Sequence, residues 1–201
     1  MKDERHFKFM DETIGHNGVT LHRIQATRDL PHYNVKAGDL GGFIEKRRNL
    51  QDEAWVNNDA RVYGDAVVSG QAQVFDRAQV YGNAKIYDNA MVFGDAIVSG
   101  QAQIYGNVKV HWCSRVYDDA RVYGNAIVNG QVQIYNDAAV FDDAVVSSSA
   151  QVYGQAQVYG DTLVYGSARI YDNARVYDQA IIYGQAKVRG NASIGGRREL
   201  G

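Results

Sequence analysis

Residues 78–95 read AQVYGNAKIYDNAMVFGD, which is one six-residue pattern written three times. Every sixth residue from Val56 to Ile194 is Val or Ile, at all 24 positions. The residue two places earlier is Ala in 20 of these 24 repeats. The residue after the Val or Ile is usually aromatic, and the next is Gly, Asp or Asn in 22 of 24 repeats. Such a regular repeat, A-x-V-Y-G-[DN], predicts a solenoid of stacked units.

Each repeat has the pattern of a short β-strand followed by a corner. Ala and Val/Ile lie two residues apart, so both side chains point inward, while the residues beside them point outward. Gly, Asp and Asn tolerate a positive φ, which lets the chain bend sharply. Three successive repeats then make one triangular coil. We therefore expect about eight coils, with a total rise of roughly 38 Å at about 4.8 Å per coil.

Two other folds fit the pattern poorly. An amphipathic helix would need a period near 3.6 residues, and β-branched residues with frequent glycine disfavour it. An antiparallel sandwich would need longer strands than a six-residue repeat leaves room for.

A longer repeat, five of the short repeats in length, lies on top of the short one. Its copies are GDAVVSGQAQVF, GDAIVSGQAQIY and GNAIVNGQVQIY, which begin at residues 64, 94 and 124. Because five repeats are not a whole number of three-repeat coils, equivalent residues should lie on different sides of the triangle. Ser69, Ser99 and Asn129 are accordingly predicted on three different faces.

The ends of the chain lack the repeat. The stretch FKFMDETIGHNGVTLHRIQAT reads as two strands around a turn at Asn17-Gly18. We expect a small β-hairpin cap that covers the open strand edge of the first coil. The predicted segments are an N-terminal cap at 1–43, a solenoid at 44–196 and a short tail at 197–201.

Composition gives little support for a charged or membrane partner. The chain has 21 basic and 23 acidic residues, a net charge of −2, and one cysteine, Cys113. Its charged N-terminus lacks the apolar run of a signal peptide, and no stretch has the length of a transmembrane helix. We expect a cytoplasmic protein with no disulfide.

The repeat over residues 44–194 resembles the hexapeptide-repeat, left-handed β-helix superfamily, best known for acyl-CoA-dependent acyltransferases. The segment LHRIQATRDLPHYNVKAGDLGGFIEKRRNL, followed by hexads such as NDARVYGDA, resembles YdcK-like proteins of bacteria and prophages, which are commonly labelled acetyltransferases. The resemblance implies an all-β, single-stranded, left-handed parallel β-helix. The left-handed sense comes from the resemblance alone, because strand crossovers are normally right-handed.

The resemblance also suggests an enzymatic alternative. Acyltransferases of this type use a histidine as general base and a projecting loop that walls off the acyl-CoA cleft. Residues 56–194 contain no insertion and a single histidine, His111, in the irregular repeat VHWCSR at 110–115. There Trp112 occupies the corner place and Ser114 the Ala place. His111 is thus the candidate catalytic base, with acyl-CoA as the cofactor of this alternative.

Two other chemistries are disfavoured. His111 and Cys113 straddle a predicted corner, so a nucleophile pair is not assured. The γ-class carbonic anhydrases share this fold but bind zinc through three histidines, which one solenoid histidine cannot supply. We predict no metal, and our first hypothesis is a non-catalytic structural or binding solenoid without a cofactor.

The outward residues fall on three faces. Face one is centred on Val74 and its equivalents at every third repeat, face two on Val80, and face three on Ile86. Faces two and three interleave Tyr with Arg, Lys and Gln, which suggests tyrosines stacked in columns and leaves room for a protein or glycan partner. Nucleic acid is not expected, because acidic corners would repel phosphate.

Face one is predicted to be a largely apolar stripe. Such stripes usually mark an interface, so we expect a homo-oligomer, and the resembling family favours a trimer. The predicted interface residues are Trp55, Phe75, Met91, Phe93, Ile127, Val145, Leu163, Tyr165, Ile181 and Tyr183.

Overall fold

The computed structural model describes residues 5–201 and confirms a three-sided parallel β-solenoid. The six-residue phase runs from Ile44 to Leu200, which makes about nine coils where the sequence predicted about eight. The extra coil is assembled from the imperfect repeats at the two ends. The left-handed sense of the coil stays a prediction. The described residues contain no helix long and apolar enough to span a membrane.

The strands of each face stack in register, and each residue pairs with its equivalent one coil further on, as Val92 does with Val110. The strands of face one are Trp55–Val56, Gln73–Val74, Met91–Val92, Lys109–Val110, Ile127–Val128, Val145–Val146, Leu163–Val164, Ile181–Ile182 and Glu199–Leu200. Those of face two, after Leu40–Ile44, are Arg61–Val62, Gln79–Val80, Ile97–Val98, Arg115–Val116, Gln133–Ile134, Gln151–Val152, Arg169–Ile170 and Lys187–Val188. Those of face three are Val67–Val68, Lys85–Ile86, Gln103–Ile104, Arg121–Val122, Ala139–Val140, Gln157–Val158, Arg175–Val176 and Ser193–Ile194.

The predicted tail is part of the solenoid. Glu199 pairs with Ile181 and Leu200 with Ile182, in the same parallel register as every other strand of face one. The sequence analysis did not identify this strand within the predicted tail at 197–201, because Arg198 stands where the repeat usually has Ala, although Leu200 continues the six-residue phase after Ile194.

The corners adopt the conformation that the sequence predicts. All 24 corner positions from Asn58 to Gly196 have positive φ. Trp112 (φ 60°) and Ser148 (φ 61°), the two exceptions to the Gly/Asp/Asn pattern, follow the same path. The geometry of the coil therefore sets the backbone at these two positions, against the preference of their side chains.

The interior is filled by the predicted residues. The Val or Ile of every repeat from Val56 to Ile182 is fully buried, and so is the residue two places before it, which is usually Ala. Ser114 and Thr162 take two of the Ala places and are also fully buried. The Ser114 hydroxyl donates a hydrogen bond to the His111 carbonyl oxygen at 2.8 Å, which satisfies the buried polar group.

The N-terminal segment is a cap built on a β-hairpin, as predicted. Strand β1 is Phe7–His16, β2 is Val19–Ala26, and Asn17 (φ 48°) and Gly18 (φ 81°) form the turn between them. β2 pairs antiparallel with β3, Leu40–Ile44, and β3 pairs in parallel with the first repeated strand of face two. Two short 3-10 helices, Pro31–Tyr33 and Arg47–Asn49, complete the segment.

The cap supplies the hydrogen bonds that a preceding coil would otherwise make. Within the solenoid an Ala carbonyl accepts a backbone N–H of the coil above it, as Ala72 does from Trp55 at 3.0 Å. At the first coil, the His6 side chain donates Nε2–H to the Ala54 carbonyl at 2.8 Å. The Asn49 amide donates to the Ala66 carbonyl at 2.7 Å. The predicted protection of the open edge thus includes side chains that donate the hydrogen bonds otherwise donated by the backbone of a strand.

Candidate functional site

His111 lies on face one and stacks on Phe93 of the preceding coil, with ring centroids 4.6 Å apart and planes 1° from parallel. Burial lowers the pKa of His111, and the Lys109 ammonium lowers it further, so the ring is neutral at pH 7. Among residues 5–201 no side chain forms a hydrogen bond with this ring. A neutral imidazole can accept a proton, but no hydrogen-bond partner among the described residues orients it.

Cys113 does not complete a nucleophile pair with His111. Its thiol is exposed, and its backbone N–H bonds to the Gly130 carbonyl of the next coil at 2.9 Å. No hydrogen bond joins the two side chains within the described residues. His111 lines a groove with Phe93 of face one, whereas Cys113 lines a different pocket with Arg115 of face two.

Trp112 projects from the corner into solvent, with 66% of its surface exposed. The corner of the preceding coil is Gly94, where a Cβ atom would come within 2.9 Å of the Trp112 backbone nitrogen. Glycine at position 94 therefore leaves space for the Trp112 backbone. A tryptophan held in the left-handed region and left exposed gains little from packing, so its place in the fold does not explain its identity.

A shallow groove of about 360 Å³ lies beside Trp112. Its floor is formed by Phe93 and His111, and carboxylates stand at its rim. Asp76 accepts the Gly94 backbone N–H at 3.1 Å, and Asp95 accepts a hydrogen bond from Arg77 at 2.7 Å. The groove thus combines an apolar floor with polar groups that can still bind a ligand.

The face-one stripe is apolar, but one of its predicted members is not available. Trp55 is only 2% exposed, because the cap covers it: the His6 ring lies 6.2 Å from its ring, and Gly41 packs so closely that a Cβ there would come within 2.8 Å of it. The sequence could not show this, because the cap has no repeat from which to infer its packing. The other nine predicted residues remain partly or fully exposed: Phe75, Met91, Phe93, Ile127, Val145, Leu163, Tyr165, Ile181 and Tyr183.

The tyrosines of faces two and three stack in columns, which confirms the predicted arrangement. On face three the six rings are nearly parallel, with centroids 4.7 to 5.5 Å apart: Tyr87, Tyr105, Tyr123, Phe141, Tyr159 and Tyr177. On face two, Ser99 separates a short column from a longer one of Tyr117, Tyr135, Tyr153 and Tyr171. The interior rings of each column have both aromatic surfaces covered by their neighbours.

The acidic corner residues have a structural role that the sequence analysis missed. The Asp88 carboxylate accepts the backbone N–H of Gly106, the equivalent corner one coil on, at 3.2 Å. Asp172 does the same for Gly190 at 3.0 Å, and Asp178 for Gly196 at 3.0 Å. The sequence carried a signal for this role, because each acidic residue and its partner occupy corner places three repeats apart. Within residues 5–201, no group of three or more His, Cys, Asp or Glu side chains is placed to hold a metal ion.

The sequence analysis also missed a pocket at the cap. It has a volume of about 330 Å³ and is lined by Arg5, His6, Arg28, Arg47 and Arg48, among others. Ion pairs with acidic neighbours hold two of these arginines: Arg28 with Glu53 at 2.8 Å, and Arg48 with Asp65. These residues come from separate parts of a segment without a repeat, so their meeting depends on packing that no pattern in the sequence marks.

Comparison with known families agrees with the repeat. The model of the YdcK β-solenoid repeat family matches residues 84–100, 114–130 and 168–184. No curated protein matches the chain. The matched segments lie in coils whose register and corners continue unbroken on either side. Three segments of the chain therefore match the YdcK β-solenoid repeat, and they lie within a parallel β-solenoid.

Proposed function

We propose that the protein is a non-catalytic solenoid that self-associates through face one. The observation that carries the proposal is the difference between the faces. At the outward position before the Val or Ile, face one is mainly aliphatic, whereas faces two and three carry mainly Arg, Lys and Gln. A contiguous apolar face on an otherwise charged surface is typical of an interface.

The apolar side chains form a continuous surface in the C-terminal half of face one. Val145 pairs with Leu163 and Leu163 with Ile181, so their side chains stand side by side on successive coils. Leu163 is 40% exposed and Tyr165 39% exposed, although both are large and apolar. Covering such residues removes apolar surface from water, which is favourable by a free energy of about 25 cal/mol per Å² buried.

A second copy of the chain is the occupant that we favour. The face is flat and regular, and Lys109 is the one basic residue among its outward positions in the described strands. Flat faces of identical molecules can pack against each other, and in a closed symmetric assembly each copy buries the same surface. The resembling family leads us to expect a trimer.

The alternative of acyl-CoA-dependent transfer has weaker support. It would use His111 as general base, yet this ring is oriented only by stacking on Phe93. Every repeat between residues 56 and 200 has six residues, so no loop projects from the coil to wall off a cleft. The groove beside Trp112 is the place where this alternative would have to bind its cofactor.

The experiment is a triple substitution, Met91→Lys, Ile127→Lys and Leu163→Lys, examined by sedimentation velocity. We expect the wild type to sediment as an oligomer and the variant as a folded monomer. The matched control places three lysines on face three, through Gln103→Lys, Ala139→Lys and Gln157→Lys, and should keep the wild-type mass. A wild-type monomer, or a variant with unchanged mass, would contradict the proposal.

The same proteins test the enzymatic alternative. A non-catalytic solenoid should show no thermal shift with acetyl-CoA and no acetyl transfer. Binding of acetyl-CoA together with activity that His111→Ala abolishes would replace the proposed function with transfer.

A further inference from the structure

The solenoid has many aromatic side chains, but few of them offer a free ring surface to a ligand. In the columns of faces two and three, neighbouring rings cover each other: Tyr123 lies between Tyr105 and Phe141, with ring centroids 5.0 Å and 4.7 Å away. Trp112 differs, because among residues 5–201 it stacks on no other ring and is 66% exposed. Among the large apolar side chains of residues 5–201, Trp112 is thus the most exposed, and it stands at a corner away from the tyrosine columns.

Trp112 also stands where the fold has no need for a large side chain. The corner requires a positive φ, which Gly supplies at most equivalent positions and Asp or Asn at nearly all the others. A bulky side chain in the left-handed region strains the backbone. Strain without compensating burial points to a role in binding.

The groove beside Trp112 has the size and polarity of a small-ligand site. Its volume of about 360 Å³ lies at the lower end of the range for small-molecule pockets. Most of its lining residues, such as Asp76, Gly94 and Asp95, belong to corners, so the groove opens at the edge of face one. The groove shares Phe93 with the predicted face-one interface, so the contacts to the ligand are assigned to the corner residues Trp112, Asp76 and Asp95.

The charges around the groove favour a neutral ligand. Asp76 and Asp95 are balanced by Arg77, which bonds to Asp95 at 2.7 Å, and by Lys109, which lies close enough to lower the pKa of His111. A cationic ligand would meet two nearby positive charges, and an anionic ligand would meet two carboxylates. Neutral imidazole and carboxylate oxygens can instead bond to hydroxyl groups.

We propose that the Trp112 groove binds a neutral carbohydrate, with one sugar ring stacked on the Trp112 indole. The apolar C–H face of the ring would cover the indole, and its hydroxyl groups would bond to the carboxylates of Asp76 and Asp95. This proposal is independent of self-association, because it uses the corner and not the centre of the face.

The experiment is a titration of the full-length protein with chitotetraose, cellotetraose and maltotetraose, followed by tryptophan fluorescence. We expect a saturable change with at least one of them, at a Kd of about 1 mM. Trp112→Gly restores the common corner residue, so it should fold normally and lose the response. Ser148→Gly makes the same change at the equivalent corner two coils further on and should keep it. Asp95→Asn should weaken binding several-fold.

Three outcomes would overturn the proposal. These are no response to any of the three sugars at about 10 mM, an unchanged affinity in Trp112→Gly measured by calorimetry, or a response to tetramethylammonium in place of the sugars. Repeating the titration with the face-one triple lysine variant separates this proposal from self-association. A monomeric variant that still binds sugar supports both proposals, and a wild-type monomer that binds sugar supports this one alone.

Discussion

Individual corner residues control how closely one coil approaches the next. At Gly100 a Cβ atom would lie 2.7 Å from the backbone nitrogen and 2.9 Å from the Cα atom of Asp118. At Gly190 a Cβ atom would have nothing within 4 Å, although φ is positive at both positions. Substitutions at the two glycines therefore measure two effects separately. One is the cost of a positive φ for a residue with a side chain, and the other is the cost of a clash with the next coil.

Gly100→Ala should destabilise the protein more than Gly190→Ala. The Gly190 variant incurs only the left-handed conformation, about 1 kcal/mol, whereas the Gly100 variant also forces backbone atoms apart and should lose about 2 kcal/mol or more. Chemical denaturation of both variants beside the wild type measures the difference. Equal losses would show that the coils can separate freely at this corner.

The structural role of each residue in the repeat could be predicted from spacing alone, because each inward or corner place has a local physical requirement. Val110 and the positive φ at Trp112 follow from their places in the six-residue phase. The burial of Trp55 could not be predicted in this way. Its position predicts an outward side chain, but the cap that covers it is joined to the first coil by contacts between residues far apart in sequence.

Among the elements, the cap is held partly by a buried histidine, His6. His6 is buried, its Nε2–H bonds to the Ala54 carbonyl, and its ring lies against Phe7 and Trp55. Burial lowers the pKa of His6, and the hydrogen bond to Ala54 opposes this only in part. In the undocked segment the histidine has its ordinary pKa of about 6.5.

Docking of the cap should therefore weaken as the pH falls below about 6.5. The undocked state takes up the proton first, so stability is complete above this pH and is lost below it, by up to about 1.4 kcal/mol per pH unit. Trp55 emission, measured in the Trp112→Gly background where it is the one remaining tryptophan, should shift to the red between pH 7.5 and about 5.

The matched variants make this prediction specific. His6→Gln keeps a donor for Ala54 but cannot titrate, so its emission should be the same at both pH values. His32→Asn removes an exposed histidine of the same segment and should leave the shift as in the wild type. A shift that persists in His6→Gln would assign the pH dependence to another group.

At the scale of the whole molecule, the single repeat determines the core pattern, and the three-repeat coil determines which outward residues share a face. A deletion of one repeat, such as residues 138–143, preserves the Ala, Val and corner places but moves every later strand to the next face. A deletion of one whole coil, such as residues 138–155, preserves both the core pattern and the faces.

Both deletion variants should fold, because each stacked unit contacts mainly its neighbours. The one-coil deletion should still self-associate, since Ile127 and Leu163 remain on one face. The one-repeat deletion should be monomeric, because it divides the apolar stripe between two faces. Circular dichroism with sedimentation velocity tests both expectations, and an oligomeric one-repeat deletion would show that stripe continuity is not needed.

The longer, five-repeat unit has a consequence for how such a chain can acquire new surfaces. Ser69, Ser99 and Asn129 lie on faces three, two and one, respectively. Three such units equal five coils, so three successive copies of a residue lie on three different sides. A fourth copy would lie on the same side as the first. Gene duplication here lengthens the rod while distributing copied surface residues around its circumference. A binding patch confined to one side must therefore arise by separate point mutations, as the lone tryptophan at position 112 illustrates.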